Sequence, residues 1–147
     1  MNAEAEDLLA KIAQALARSA PEDWRYLTLR ISCAGGMTQT GLTATRGSGA
    51  LHRGVTLDHE GHLAALMLRR AMHQPGQGSW YNAHLTFDKL ARLDAVYDYD
   101  NPPFRGDVEA SFLIEDQRLC PRDPAMLPLW HPCRPGGPSL PLWGDDE

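Results

Sequence analysis

A change of hydrophobic period near residue 20 constrains this chain more than any other feature. Up to about Arg18, the apolar residues Leu8, Leu9, Ile12 and Leu16 recur at helical spacing, with acids in front and Lys11 and Arg18 behind. That layout predicts an amphipathic helix whose charges complement its dipole, ended by Ser19-Ala20-Pro21. From Trp24 the period becomes two. Leu27, Leu29, Ile31 and Cys33 alternate with Thr28, Arg30 and Ser32, so the segment is a half-buried strand with one side toward a core.

The same reasoning carries along the chain. Ala34-Gly35-Gly36 is a turn, and the Thr-rich stretch from Met37 to Arg46 is a polar strand that pairs back as a hairpin. Gly47-Ser48-Gly49 breaks it, and a weaker strand follows through Leu51 and Val55. Glu60-Gly61 reads as a turn; Leu63, Leu66, Met67, Arg70 and Ala71 then outline a second helix with that stripe toward the core, closed by Pro75-Gly76. Tyr81, Ala83, Leu85 and Phe87 share one side of the next strand, with Trp80, Asn82, His84 and Thr86 on the other. In the following strand Leu93, Ala95, Tyr97 and Tyr99 oppose Asp94, Asp98 and Asp100, with Val96 interrupting the acids. Asn101-Pro102-Pro103 stops the pairing. Val108, Phe112, Glu115 and Leu119 fit a third helix, although Phe112-Leu113-Ile114 also reads as a short strand. The sum is an α+β fold: an antiparallel sheet with helices packed on one face, a single domain over residues 1–130. A Pro-rich C-terminal tail over 131–147 follows, with Trp143 tacking it to the body.

Composition narrows the function. At 147 residues, 43% hydrophobic, the chain is long enough for a core that needs no disulfide or metal staple. A net charge of −5 is not the basic footprint of a nucleic-acid binder, so no nucleic-acid partner is expected. Three cysteines, Cys33, Cys120 and Cys133, form no CxxC and fit inert thiols in a reducing compartment. The acidic N-terminal stretch lacks a signal-peptide layout, and no apolar run reaches the roughly 20 residues of a membrane span. A cytoplasmic protein with no membrane association is expected.

Few residues suggest chemistry. The acidic stripe of Asp94, Asp98 and Asp100, with Asp107 and Glu109 behind it, is tolerable only where water or a cationic partner screens it. It could meet basic residues of a partner, bind a divalent cation, or stand as a solvated face. His52, His59 and His62 surround Glu60-Gly61 without a zinc-ligand spacing. His73 and His84 flank Gly76-Gln77-Gly78, where a general base would need a nucleophile such as Ser79 within reach. That glycine loop runs from helix to strand, the reverse of a phosphate-cradling loop. Arg122, in Pro121-Arg122-Asp123-Pro124, is placed to brace a carboxylate bidentately. No catalytic residue, metal site or cofactor is assigned.

Read in order, Leu68-Arg69-Arg70-Ala71-Met72, Gly76-Gln77-Gly78-Ser79-Trp80, Asp98-Tyr99-Asp100-Asn101-Pro102-Pro103, Pro121-Arg122-Asp123 and Pro128-Leu129-Trp130 form a signature. It resembles the YezG-like immunity proteins of bacterial polymorphic toxin systems, a group related to the immunity factor for the tuberculosis necrotizing toxin, an NAD glycohydrolase. The resemblance covers roughly Leu66 to Trp130; the first half agrees only in its helix-then-hairpin layout, and the Pro-rich tail departs from the pattern. It implies a small antitoxin that binds a cognate toxin domain, such as an NAD glycohydrolase or nuclease, blocks its active site and carries out no catalysis itself. The expected partner-binding residues are Asp94, Asp98, Asp100, Asn101 and Phe104: carboxylates toward toxin Lys or Arg, and Phe104 as an apolar anchor. The alternatives are a small metal-dependent or metabolic enzyme using the Asp94/Asp98/Asp100 stripe, and an adaptor domain. An edge strand over 37–46 offers a different surface, for pairing with a partner's sheet.

Overall fold

In a computed structural model, which describes residues 2–136, the first helix, α1 (Ala3–Ser19), is capped by Asn2. The Asn2 side chain accepts the Ala5 N–H at 2.7 Å, satisfying one of the free donors of the first turn. Two long strands follow, β1 (Trp24–Ala34) and β2 (Met37–Arg46), joined by Gly35-Gly36. Both glycines take positive φ (57° and 83°), the conformation a two-residue hairpin loop requires. A short β3 (Leu51–His52) pairs with the end of β2, and β4 (Asn82–Asp88) and β5 (Leu93–Asp98) complete an antiparallel sheet of order β3-β2-β1-β4-β5. Helix α2 (His59–Ala71) precedes β4, and α3 (Ala110–Leu119) follows β5. The fold is α+β, a single body. Among the described residues no helix is long and apolar enough to cross a membrane.

The register makes the sheet two-sided. Leu29 of β1 stands between Leu42 of β2 and Leu85 of β4; Leu27 stands between Ala44 and Phe87. All are buried under Leu8, Ile12, Ala15 and Leu16 of α1 and Ala64, Ala65 and Leu68 of α2. Leu93, Ala95, Tyr97 and Tyr99 pack against the same core. A bulge between Trp24 and Tyr26 turns Trp24 inward, where it stacks on Phe87 at 5.9 Å.

Helix α2 corrects the sequence reading twice. It begins earlier than expected, with Asp58 as N-cap accepting from Gly61 N, so Glu60-Gly61 is helix rather than turn. Gly61 sits where α1 crosses closely: a Cβ there would lie 2.7 Å from that of Ala15. The buried face is Gly61, Ala64, Ala65, Leu68 and Arg69, whereas Leu63 and Met67 of the expected stripe are exposed. Small residues let the two helices approach, and the bulkier ones are turned outward. The segment Phe112-Leu113-Ile114 is helical, and the strand expected through Val55 ends at His52.

The packed body runs past Trp130. His131 is fully buried and Arg134 donates to the Leu127 carbonyl at 2.6 Å. Trp143 and the rest of the tail beyond 136 lie outside the described residues.

Candidate functional site

The helices leave the second face of the sheet uncovered. Even-numbered residues of β1 point there, and the register sets them in rows: Gln39, Ser32, Asn82 and Asp98 in one, and Gly41, Arg30, His84 and Val96 in the next. These residues floor a groove of about 790 Å³ whose wall is Pro102, Phe104 and Arg105. A smaller depression of about 320 Å³ continues it past Arg30 and Gly41 to Arg53 and Val55.

The wall is held by polar side chains of the floor. Ser32 Oγ donates to Asn82 Oδ1 at 2.6 Å, and Asn82 Nδ2 faces the carbonyls of Asn101 and Pro102, 3.2 Å from each. Asp98 Oδ1 accepts the backbone N–H groups of Asp100 and Asn101, and its Oδ2 accepts from Asn101 Nδ2 at 2.8 Å. Trp130 Nε1 donates to the Asp100 carbonyl from outside at 2.7 Å. Beyond this brace, Phe104 and Arg105 both take left-handed backbone (φ 56° and 59°), as does Gly106. Side chains rarely adopt that region, and such strain concentrates at ligand-contacting segments.

The expected partner residues therefore separate. Asp98 and Phe104 line the groove. Asp100 and Asn101 are exposed in the loop that follows β5, and Asp94 stands on the open face of the sheet one row beyond, opposite Thr86. Asp98 is not a free carboxylate. Partial burial raises its carboxyl, but the bonds from Asn101 and Asp100 outweigh this and hold it below the usual range. It stays ionised and is a weak base. Phe104 is half-buried, packed against the small cluster of Ala34, Val108 and Leu113, so only part of its ring is offered outward.

Other expectations are corrected. Among the described residues Arg122 braces no carboxylate; its guanidinium lies over Tyr81 at 4.6 Å and Tyr99 at 5.5 Å and donates to the Ser79 carbonyl. The bidentate partnership belongs to Arg69, which grips Asp116 of α3 with both terminal nitrogens and donates through Nε to the Trp80 carbonyl. Ser79 is buried and donates to the Arg69 carbonyl, while His84 lies on the open face and His73 beside the Pro121 carbonyl, so no nucleophile–base pair forms there. His62 meets Thr40 and His52 meets Arg46. Among the described residues, no three His, Cys, Asp or Glu side chains come together closely enough to hold a metal ion. Burial pushes all three thiols up, most directly Cys33 in the core.

Arg30, Ser32 and Asn82 are strand residues of the site that sequence reasoning missed, as it missed Arg105 of the wall. The strand residues' signal was present: they occupy the polar phase of β1 and β4. Two apolar phases that pair on the core side bring the two polar phases together on the other.

No protein-family model matches the chain, and no curated protein matches it.

Proposed function

We propose that the chain is an immunity protein that binds a cognate toxin domain through the open face of its sheet and so blocks the toxin's active site. The observation that carries this reading is the groove itself: a wide depression, uncovered among the described residues, whose wall is fixed by Ser32, Asn82, Asp98 and Trp130. A preorganised wall loses little conformational freedom on docking, which favours tight association. The exposed carboxylates of Asp94 on that face and of Asp100 in the loop after β5 supply charge for basic residues of the toxin, and charge of this kind speeds encounter. The ordered signature from Leu66 to Trp130 points to the same class of protein.

The test is co-expression with the C-terminal domain of a large secreted protein encoded beside this gene, scoring survival and co-purification. Survival with a one-to-one complex supports the reading. An intact toxin that kills regardless, or rescue without complex formation, refutes it. The double variant Asp94→Lys, Asp100→Lys separates face from function. Neither side chain bonds within the described fold, so only docking should suffer.

A further inference from the structure

The groove is cationic in an acidic protein. The chain carries a formal net charge of −5, yet among the described residues the two connected depressions are lined by Arg30, Arg53, Arg105 and His84 against one carboxylate, Asp98. That carboxylate is already committed to its own loop. Among the described residues, none of the four basic side chains makes an ion pair or a side-chain hydrogen bond, although elsewhere Arg18, Arg69, Arg92 and Arg118 each hold a carboxylate.

Arg30 and His84 are directly opposed across β1 and β4. Such cross-strand neighbours have Cβ atoms about 5 Å apart, and two basic groups so placed repel once both are charged. Gly41 on the other flank gives the guanidinium a bed: a Cβ there would stand 3.3 Å from Arg30 Nη2. Arg105 projects from the left-handed wall into the same space. A fold that lays an unpaired arginine over a glycine, opposes it with a histidine and adds a second arginine from a left-handed loop has assembled a receptor for negative charge.

We propose that the groove receives an acidic segment of the bound protein, with a carboxylate seated between Arg30, His84 and Arg105. This rests on the toxin-binding reading and deepens it, since the exposed carboxylates and the groove then select opposite charges on one partner surface. A protein segment fits better than a small anion. The groove is far larger than one anion needs, opens along the sheet, and ends on apolar Val96, Pro102 and Phe104, which suit the carbon atoms of a chain.

The experiment uses the whole chain and amide chemical-shift mapping with hexaglutamate, hexalysine and inorganic phosphate, alongside pull-down of the toxin domain. Hexaglutamate should shift Arg30, His84 and Arg105, with hexalysine silent on those positions. Arg30→Glu should weaken hexaglutamate at least tenfold while leaving the thermal midpoint in place; Arg30→Lys should keep most of the binding. No response to hexaglutamate, or equal response to hexalysine, overturns the proposal. Phosphate binding as tightly as the peptide overturns the protein-segment assignment and makes this a small-anion site. The two readings fail separately. A toxin complex indifferent to Arg30→Glu and Arg105→Glu sinks the acidic-segment inference and spares the immunity reading. Hexaglutamate binding without any toxin complex does the reverse.

Discussion

The two faces of the sheet are built from alternate residues of the same strands, yet they treat their polar groups in opposite ways. On the covered side, Asp116 accepts from Arg69 and from Gly35 N, and Arg69 also reaches the Trp80 carbonyl. Both side chains are almost wholly enclosed, so every hydrogen-bonding direction must be filled from within. On the open side, Arg30, Arg105 and His84 have no internal partner among the described residues. All three are exposed, so a ligand can meet them without dismantling the fold. Polar groups under the helices specify structure, and polar groups on the open face remain available for recognition.

The largest expected effect breaks the covered side. Asp116→Ala strands a buried guanidinium and leaves Gly35 N without its acceptor; loss of one partner of a buried pair costs about 3–5 kcal/mol. That is a large share of the roughly 5–15 kcal/mol that holds a domain folded. Urea denaturation measures it. The apolar double variant Arg69→Met, Asp116→Leu should regain most of the loss, because it removes both charges together. A mild effect for Asp116→Ala would mean that water reaches the pair.

His131 extends the comparison to pH. Burial depresses its imidazole from 6.5 to about 4; the Asp116 carboxylate and the Leu113 backbone oppose this and Arg122 reinforces it. Nδ1 accepts from Cys133 N, and Nε2 finds no hydrogen-bond partner among the described residues. The folded value lies below the unfolded one, so the unfolded chain binds the proton first. Stability is complete above about pH 6.5 and falls as pH drops toward 4, by about 3 kcal/mol. Denaturation midpoints across that window should flatten in His131→Gln. A slope that survives the substitution belongs to other groups.

How much of this was legible depended on whether a residue's role is set by its own strand or by distant contacts. The α+β class and the hairpins followed from period-two alternation, because Leu27, Leu29 and Ile31 must share a side whatever covers them. The face of α2 did not follow. Leu63 and Met67 are more hydrophobic than Gly61 and Ala65, but α1 approaches too closely for large side chains, and that distance is a tertiary fact. Arg69 and Asp116 are 47 residues apart, and adjacent arginines at 69 and 70 give no sign of which is buried. The acidic stripe was legible as a stripe; Asp98's commitment to its own turn was not, since the Asn101 contact depends on how the chain turns before Pro102. The groove needed the pairing of β1 with β4 before Arg30 and His84 became neighbours.

Two glycines sharpen the contrast at lower cost. A methyl on Gly61 would press on both Ala15 and Leu57, at 2.7 and 2.8 Å, between two packed helices. Gly61→Ala should destabilise by about 1–3 kcal/mol, the range for overpacking a tight seam. On the open face, Gly41→Ala meets only the end of Arg30, a flexible side chain free to swing aside. Its effect should stay within about 0.5 kcal/mol. Paired melting curves test this, and equal costs would show that the open face is packed as tightly as the covered one.

The smallest effect is a gain. Arg105 holds φ at 59°, where a side chain costs about 1–2 kcal/mol relative to ordinary backbone. Glycine removes that cost but adds freedom to the unfolded chain, which offsets about 0.4–1 kcal/mol. Arg105→Gly should therefore stabilise the fold by roughly 0.5–1 kcal/mol net, the difference of those two terms. The same change deletes a groove cation, so stability and partner affinity should move in opposite directions, as expected where a binding loop is held under strain. Neutral or lower stability would instead mean that the arginine's own contacts hold the wall, and that this part of the open face belongs to the fold rather than to a ligand.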